Sequence, residues 1–537
     1  MLGLRWAERL GGKTSKHPLS DGAAAAALLQ ELPFGSPAKV VAESGAWLES
    51  VEAETSFTRA HRLHVVSLID EATRPSVDEL VLRYAGVGIA APGQAADWRA
   101  LMSYLDRLGA AYRAVIDGLE EPRAASLGAS VPVALCRLTR TLACSMKVSW
   151  MRYLPPDRAS WEGLVQAYRT AQAHDCADTL VMAYPTDAGR TCTLHEFTVA
   201  AMFAAASPES LNPRRVELVH RIASSCRAAF TIGFGNQDGW KHYLMNLDQP
   251  GAPARVPEQL GAGEAWMYFH AEKVRAHLQA LLEASRNAPG GITDEQFGAE
   301  FASSEKQHAI EHVLRFWDDS PPARREPRMR INTKVQVEFG VRGVREALES
   351  AEAHTTTKVA IVMEGLAPGE TQAEAGREAV APIAWTLTDY SARGIGIRCP
   401  RRLERLRIGS VIGVRLERSD KWCVAIVRRL RTDARNQTDV GAEVLTKAAE
   451  LVTLEGLASA GTVSGLNGGG SLVRSRALLL PEDSQHHIRG SLLFEPGTNV
   501  PGQTFVLQQG DSTRRVRLHE AQEILDGWER VEFDWVD

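Results

Sequence analysis

The sequence predicts a multidomain α+β protein: a large mainly α-helical N-terminal domain, a small barrel or sandwich of β-strands, and a small β-rich C-terminal unit. Three observations lead there. The chain has 537 residues, and a single core stops growing near roughly 250–300 residues. Its first 317 residues carry helical apolar periodicity. Beyond "WDDSPPARREPRMRI", with its two prolines and clustered arginines, the pattern turns into short β-type runs punctuated by Gly, Asp, Asn and Pro.

In the helical region, "AEKVRAHLQALLEA" places Val274, Leu278, Leu281 and Leu282 at i, i+4, i+7 and i+8. "QHAIEHVLRFW" places Ile310, Val313, Leu314 and Trp317 at i, i+3, i+4 and i+7. Both are one-sided helices that need a partner surface. In "SLNPRRVELVHRI", Asn212 is available to cap a helix and Pro213 takes the first-turn position, where its missing N–H costs nothing. "WKHYLMNLDQPGAPARV" interrupts the pattern as a strand pair or a loop. No fixed-period repeat stands out.

The boundaries follow from these shifts: a helical domain over 1–317, a basic Pro/Arg hinge over 318–330, a β domain over 331–454 with an insert at about 341–380, and a β-rich unit over 455–537. The β domain reads as "NTKVQVEFGV", "TKVAIVME", "GIGIRC", "GSVIGVRLE" and "KWCVAIVRRLR", and its insert contains the helical-looking "VREALESAEA". The chain then loosens through "SGLNGGGS". "TFVLQQGDSTRRVRL" reads as a hairpin and "HEAQEILDGW" as a helix turn.

Composition excludes several classes. A formal net charge of -5 gives no basis for a duplex nucleic-acid binder that works by bulk charge. The arginines are nevertheless clustered, at Arg324, Arg325, Arg328 and Arg330, at Arg401, Arg402, Arg405 and Arg407, and at Arg428, Arg429 and Arg431. Local positive sites on a mildly acidic protein suit a small anion. Seven scattered cysteines without a C-x-x-C pair indicate neither a disulfide framework nor a zinc ribbon, and read as core residues of a reducing compartment. No apolar run approaches the roughly 20 residues of a membrane helix, so the expectation is a cytoplasmic chain without membrane insertion.

Several enzyme-like signals fail on context. "GGKTS" lacks the glycine and the preceding strand of a phosphate loop. The apolar stripe of its helix leaves His308 and His312 at the solvent edge, off the geometry of a metal pair. "PEDSQHHIRG" holds Glu482, Asp483, His486 and His487, but adjacent histidines in an extended segment point to opposite faces, so a solvated loop is the better reading. No G-x-S-x-G elbow is present. The expectation is no catalytic residue, no metal and no cofactor.

Two motifs are left. Arg324 and Arg328 stand four apart, and guanidinium grips phosphate with parallel hydrogen bonds and stacks on a purine. In "TDYSARGIGIRC", Asp389 suits the paired N–H donors on the edge of guanine, Ser391 donates or accepts, and Gly394 permits a positive φ or a close approach. Together they specify an anionic, guanine-bearing ligand.

The set "RREPR" followed by "DYSARG" resembles the signature of the PilZ family of cyclic di-GMP receptors, an R-x-x-x-R segment followed by D/N-x-S-x-x-G at a strand start. The resemblance covers about residues 321–450. It implies a PilZ-like antiparallel β-barrel in which Arg324 and Arg328 contact phosphate and guanine, Arg325 adds a contact, and Asp389, Ser391 and Gly394 form the floor. The stretch between the motifs is longer than usual in the family, and an insert covering the barrel mouth would close the site. The reading is a non-enzymatic cyclic di-GMP effector of bacterial signalling whose ligand orders the hinge and re-orients the helical domain. That domain would carry a protein partner, and homo-oligomerisation is left open. The alternatives are an assembly scaffold whose barrel binds no nucleotide, or a metal-dependent hydrolase using His486 and His487.

Overall fold

In the computed structural model the described residues are 17–86, 94–117, 127–234, 243–257, 265–287, 291–320, 322, 327–350, 385–417, 419, 421–457, 472–482, 489–495, 501–525 and 527–536. The chain forms two compact units, residues 1–323 and 324–537.

The first unit is built from helices α1 (Gly22–Gln30), α2 (Pro37–Ala53), α3 (Arg59–Tyr84), α4 (Gln94–Ile116), α5 (Val131–Trp150), α6 (Arg158–Ala173), α7 (Thr193–Ala205) and α8 (Pro213–Ser225). Then come strands β1 (Thr231–Phe234), β2 (Tyr243–Asn246), β3 (Ala254–Arg255) and β4 (Trp266–His270), and helices α9 (Glu272–Asn287), α10 (Asp294–Phe297) and α11 (Ser303–Phe316). The cap expected at α8 is present: the Asn212 side chain accepts from the Arg215 N–H at 2.9 Å. Val274 and Leu278 of α9 and Ile310 and Val313 of α11 enter one continuous apolar core with α2 to α8. The interrupting stretch resolves as a strand pair, Tyr243 opposite Arg255 and Leu244 opposite Ala254, at the edge of an antiparallel sheet ordered β1-β4-β2-β3.

One cluster of buried charge in this unit is paired. Lys147 of α5 meets Glu217 of α8 at 2.8 Å with both side chains buried, and Arg221 reaches the same carboxylate at 2.9 Å. His312 departs from its expected place. It is largely inside, with Nε2 donating to the Ala206 carbonyl at 2.7 Å, and burial pushes its imidazole down to about 4. That nitrogen is occupied by a backbone carbonyl. Among the described residues no group of three or more His, Cys, Asp or Glu side chains could hold a metal ion.

The second unit contains two closed antiparallel barrels. The first uses β5 (Met329–Phe339), β6 (Trp385–Tyr390), β7 (Gly394–Cys399), β8 (Val411–Leu416), β9 (Cys423–Thr432) and β10 (Thr438–Thr446), in the order β10-β7-β6-β5-β8-β9. The second uses β11 (Glu450–Leu457), β12 (Leu472–Leu480), β13 (Ser491–Phe494), β14 (Thr504–Gln509), β15 (Ser512–Leu525) and β16 (Trp528–Val536), in the order β11-β12-β13-β16-β15-β14. "HEAQEILDGW" is therefore not a helix turn. Its residues 519–525 continue β15, held in register opposite β16 with shifts around Ala521, because cross-strand pairing outweighs the local helical pattern.

The apolar run at the end of β12 is buried on both faces. Ala477 and Leu479 fill the second barrel, while Leu478 and Leu480 face a cluster shared with Val411, Trp422, Val424 and Ile426 of the first. A helix over 340–350, here α12, wedges into that cluster through Val341, Val344 and Leu348. A Cβ added at Gly413 on β8 would stand 2.7 Å from Val344 Cγ2. The start of the insert thus packs on the outer wall of β8 and β9, at the opposite end of β5 from Arg328. "TKVAIVME" and the rest of the insert lie outside the described residues, as do "GGKTS", "GLNGGGS", His486 and His487.

Candidate functional site

The β6–β7 hairpin builds the site. Leu387 points into the barrel, and strict alternation would send Asp389 inward after it. The register prevents this: Leu387 lies opposite Ile397 and Asp389 opposite Gly396, so Thr388 is an extra residue in β6. The bulge turns Asp389 to the outer face, which is how a carboxylate sits in a strand whose neighbours are core residues. The turn closes with the Ser391 N–H donating to the Gly394 carbonyl at 2.7 Å, while the Ser391 hydroxyl lies 3.5 Å from the same oxygen.

Beside this hairpin runs the start of β5, with Met329 opposite Tyr390 and Arg330 opposite Asp389. Arg328, one step earlier, reaches across, and its Nη1 donates to Asp389 Oδ1 at 2.5 Å. Its Nη2 lies 3.2 Å from where a Cβ would stand on Gly394, with Ser391 Oγ at 3.4 Å and the Ala442 carbonyl at 3.7 Å from the same point. Gly394 has no positive φ. Its role is therefore close approach, because the guanidinium rests on bare backbone. The side chains of Arg328 and Asp389 stay 31% and 28% exposed, so solvent and a small ligand can reach the pair.

The structure thus brings Arg328 to Asp389, Ser391 and Gly394, which begin 61 residues later in the chain. Arg324 and Arg325 lie outside the described residues. Two arginines of the other clusters are placed elsewhere. Arg405 lies over the Phe339 ring at 3.9 Å, at the far end of β5, and Arg428 is paired with Glu443 and Glu523 at 2.9 Å each. Sequence reading missed Thr388, the bulge residue whose hydroxyl donates to Asp389 Oδ2 at 3.4 Å, and Gly396, which lies beneath the Asp389 carboxylate. The Ile395-Gly396-Ile397 alternation was the available signal for Gly396: a glycine between two core isoleucines marks an outer-face position where something lies close.

Comparison with known families gives two matches. Residues 23–237 match the N-terminal domain of the cyclic-di-GMP receptor FimW, and residues 344–450 match that receptor's middle PilZ domain. The chain belongs to the PilZ-domain family. The PilZ match takes in Asp389, Ser391 and Gly394 and begins after Arg328. The two matches occur in the order of the FimW domains and together span more than half of the chain. The family they describe is one of receptors and not of enzymes. A search of curated proteins found no match. Among the described residues no helix is long and apolar enough to cross a membrane.

Proposed function

We propose that the first barrel binds cyclic di-GMP on the outer face of its β6–β7 hairpin. The observation that carries this is the Arg328–Asp389 pair lying on Gly394 and Gly396, with Asp389 and both glycines inside the region that matches a cyclic-di-GMP receptor's PilZ domain. A ligand phosphate takes Arg328 as its cation, and the N1–H and amino donors of a guanine take Asp389 as acceptor. Both partners must first leave each other. An ion pair this exposed is worth only about 0–1 kcal/mol, whereas each charge-assisted hydrogen bond to the ligand contributes roughly 1.5–3 kcal/mol, so the exchange favours binding. The micromolar affinity expected corresponds to about −8 kcal/mol.

The same reading assigns Arg324 and Arg325, just ahead of Arg328, to the ligand's phosphates. Drawing them onto the barrel orders the Pro/Arg segment, and that ordering re-orients the helical unit to which the segment is joined, so the ligand's differential contacts transmit the signal. The upstream end of this segment is already fastened to the first unit. Arg255 donates to the Asp318 carbonyl at 2.6 Å, and Arg275 pairs with Asp318 at 3.1 Å and with Asp319 at 3.5 Å. Ordering by ligand therefore concerns the residues between Ser320 and Arg328.

Calorimetric titration of the full chain with cyclic di-GMP tests the site, and absence of heat at high ligand concentration would remove the receptor reading. Hydrogen exchange of residues 318–330 with and without ligand tests the switch. Protection unchanged on saturation would keep the site and discard the re-orientation.

A further inference from the structure

We propose that Gly396 is a positioning residue for the ligand site, required because the Asp389 carboxylate occupies the space that any side chain at 396 would fill. The inference rests on the binding site proposed above and adds a residue outside the D-x-S-x-x-G pattern. Gly396 lies opposite Asp389 across the β6–β7 ladder. A Cβ built on it would have the Asp389 Cγ at 2.6 Å and Oδ1 at 2.8 Å, with Oδ2 nearer still, and real Cβ contacts are essentially never that short. Gly396 has no positive φ, so the backbone accepts an L-residue, and the three atoms nearest to such a Cβ all belong to the carboxylate. At Gly394 the nearest atom is the tip of Arg328, at 3.2 Å. The demand for glycine is thus sharper at 396 than at the motif position.

The consequence is chemical. Bulged outward by Thr388, Asp389 would have the freedom of an exposed side chain if it had nothing to lie on. Seated on the Gly396 backbone, with Oδ2 beside the Thr388 hydroxyl at 3.4 Å, it keeps one orientation when Arg328 leaves it for the ligand. Alanine at 396 lifts the carboxylate off the strand and off Arg328. The ligand then has to find an acceptor that is no longer pre-oriented, and guanine, whose edge donates where adenine's N1 accepts, loses more than adenine does.

The test is a cycle of Gly396→Ala, Asp389→Ala and the double variant in the full chain, read by titration with cyclic di-GMP and cyclic di-AMP and by urea unfolding. Gly396→Ala is expected to weaken cyclic di-GMP binding at least tenfold and to narrow its preference over cyclic di-AMP. The double variant should bind no more weakly than Asp389→Ala alone. In unfolding, Gly396→Ala should lower the midpoint when Asp389 is present. In the Asp389→Ala background it should be neutral or stabilising, since alanine suits a strand better than glycine. If Gly396→Ala alone does not fold, recovery of folding in the double variant supports the seat, and failure of the double overturns it. Wild-type affinity in Gly396→Ala, or losses that simply multiply, also overturn it. If the wild-type chain binds no cyclic di-GMP, the receptor reading falls and the unfolding cycle alone decides the seat.

Discussion

Replacing Arg328 by alanine isolates the contact on which the receptor reading depends. In the free protein Arg328 holds Asp389 at 2.5 Å, with about a third of each side chain exposed. Losing this pair costs the fold no more than about 1 kcal/mol. In the complex the loss is larger. A phosphate or guanine edge that has shed water faces no cation, and truncating one partner of such a pair costs roughly 2–5 kcal/mol. The variant also escapes breaking its own ion pair, which offsets about 0–1 kcal/mol. A net loss near 2.5 kcal/mol corresponds to an affinity weakened about 70-fold. Arg328→Lys keeps the charge but loses the planar fork and the flat contact with Gly394, so it should fall between. Calorimetry at two salt concentrations gives affinity and its salt dependence, and urea unfolding checks the fold. A dissociation constant within about threefold of wild type, in a variant of unchanged stability, would refute the assignment of Arg328.

Three further outcomes are expected. Lys147→Met should destabilise the first unit by about 3 kcal/mol, because it leaves the buried Glu217 carboxylate with Arg221 alone, and Lys147→Met with Glu217→Leu should recover most of this in thermal unfolding. Burial lowers the imidazole of His312 to about 4 and that of His220 to about 3, from 6.5. The unfolded chain then binds protons that the folded chain does not, so stability should be full above pH 6.5 and fall as pH drops towards 4, with a shallower slope in His312→Gln. Trp528→Phe should lower the stability of the second unit by about 2 kcal/mol in urea, since Trp528 Nε1 donates to the Gly409 carbonyl at 2.8 Å inside the cluster between the barrels and phenylalanine leaves that oxygen unsatisfied.

Local signals in the chain were enough for the parts that local physics governs. The cap at Asn212 and the apolar faces of α9 and α11 need only neighbours three or four residues away, and both are where the sequence puts them. The polar trio Asp389, Ser391 and Gly394 was legible as a motif because a turn draws on adjacent residues. What only the tertiary structure decided depends on a partner strand remote in sequence. The outward aim of Asp389 comes from a register shift against β7, the need for Gly396 comes from the side chain opposite, and the approach of Arg328 comes from β5 pairing with β6 across the long insert. Residues 519–525 are strand because β16 supplies their hydrogen bonds, and the β12 leucines are buried on both faces because the first barrel and α12 cover the outer one. His312 is inside because the Ala206 carbonyl stands where its ring points. Helical periodicity is written within one turn of chain, whereas register, bulges and the second face of a strand are set by whatever segment packs alongside, and that segment is chosen only when the whole chain folds.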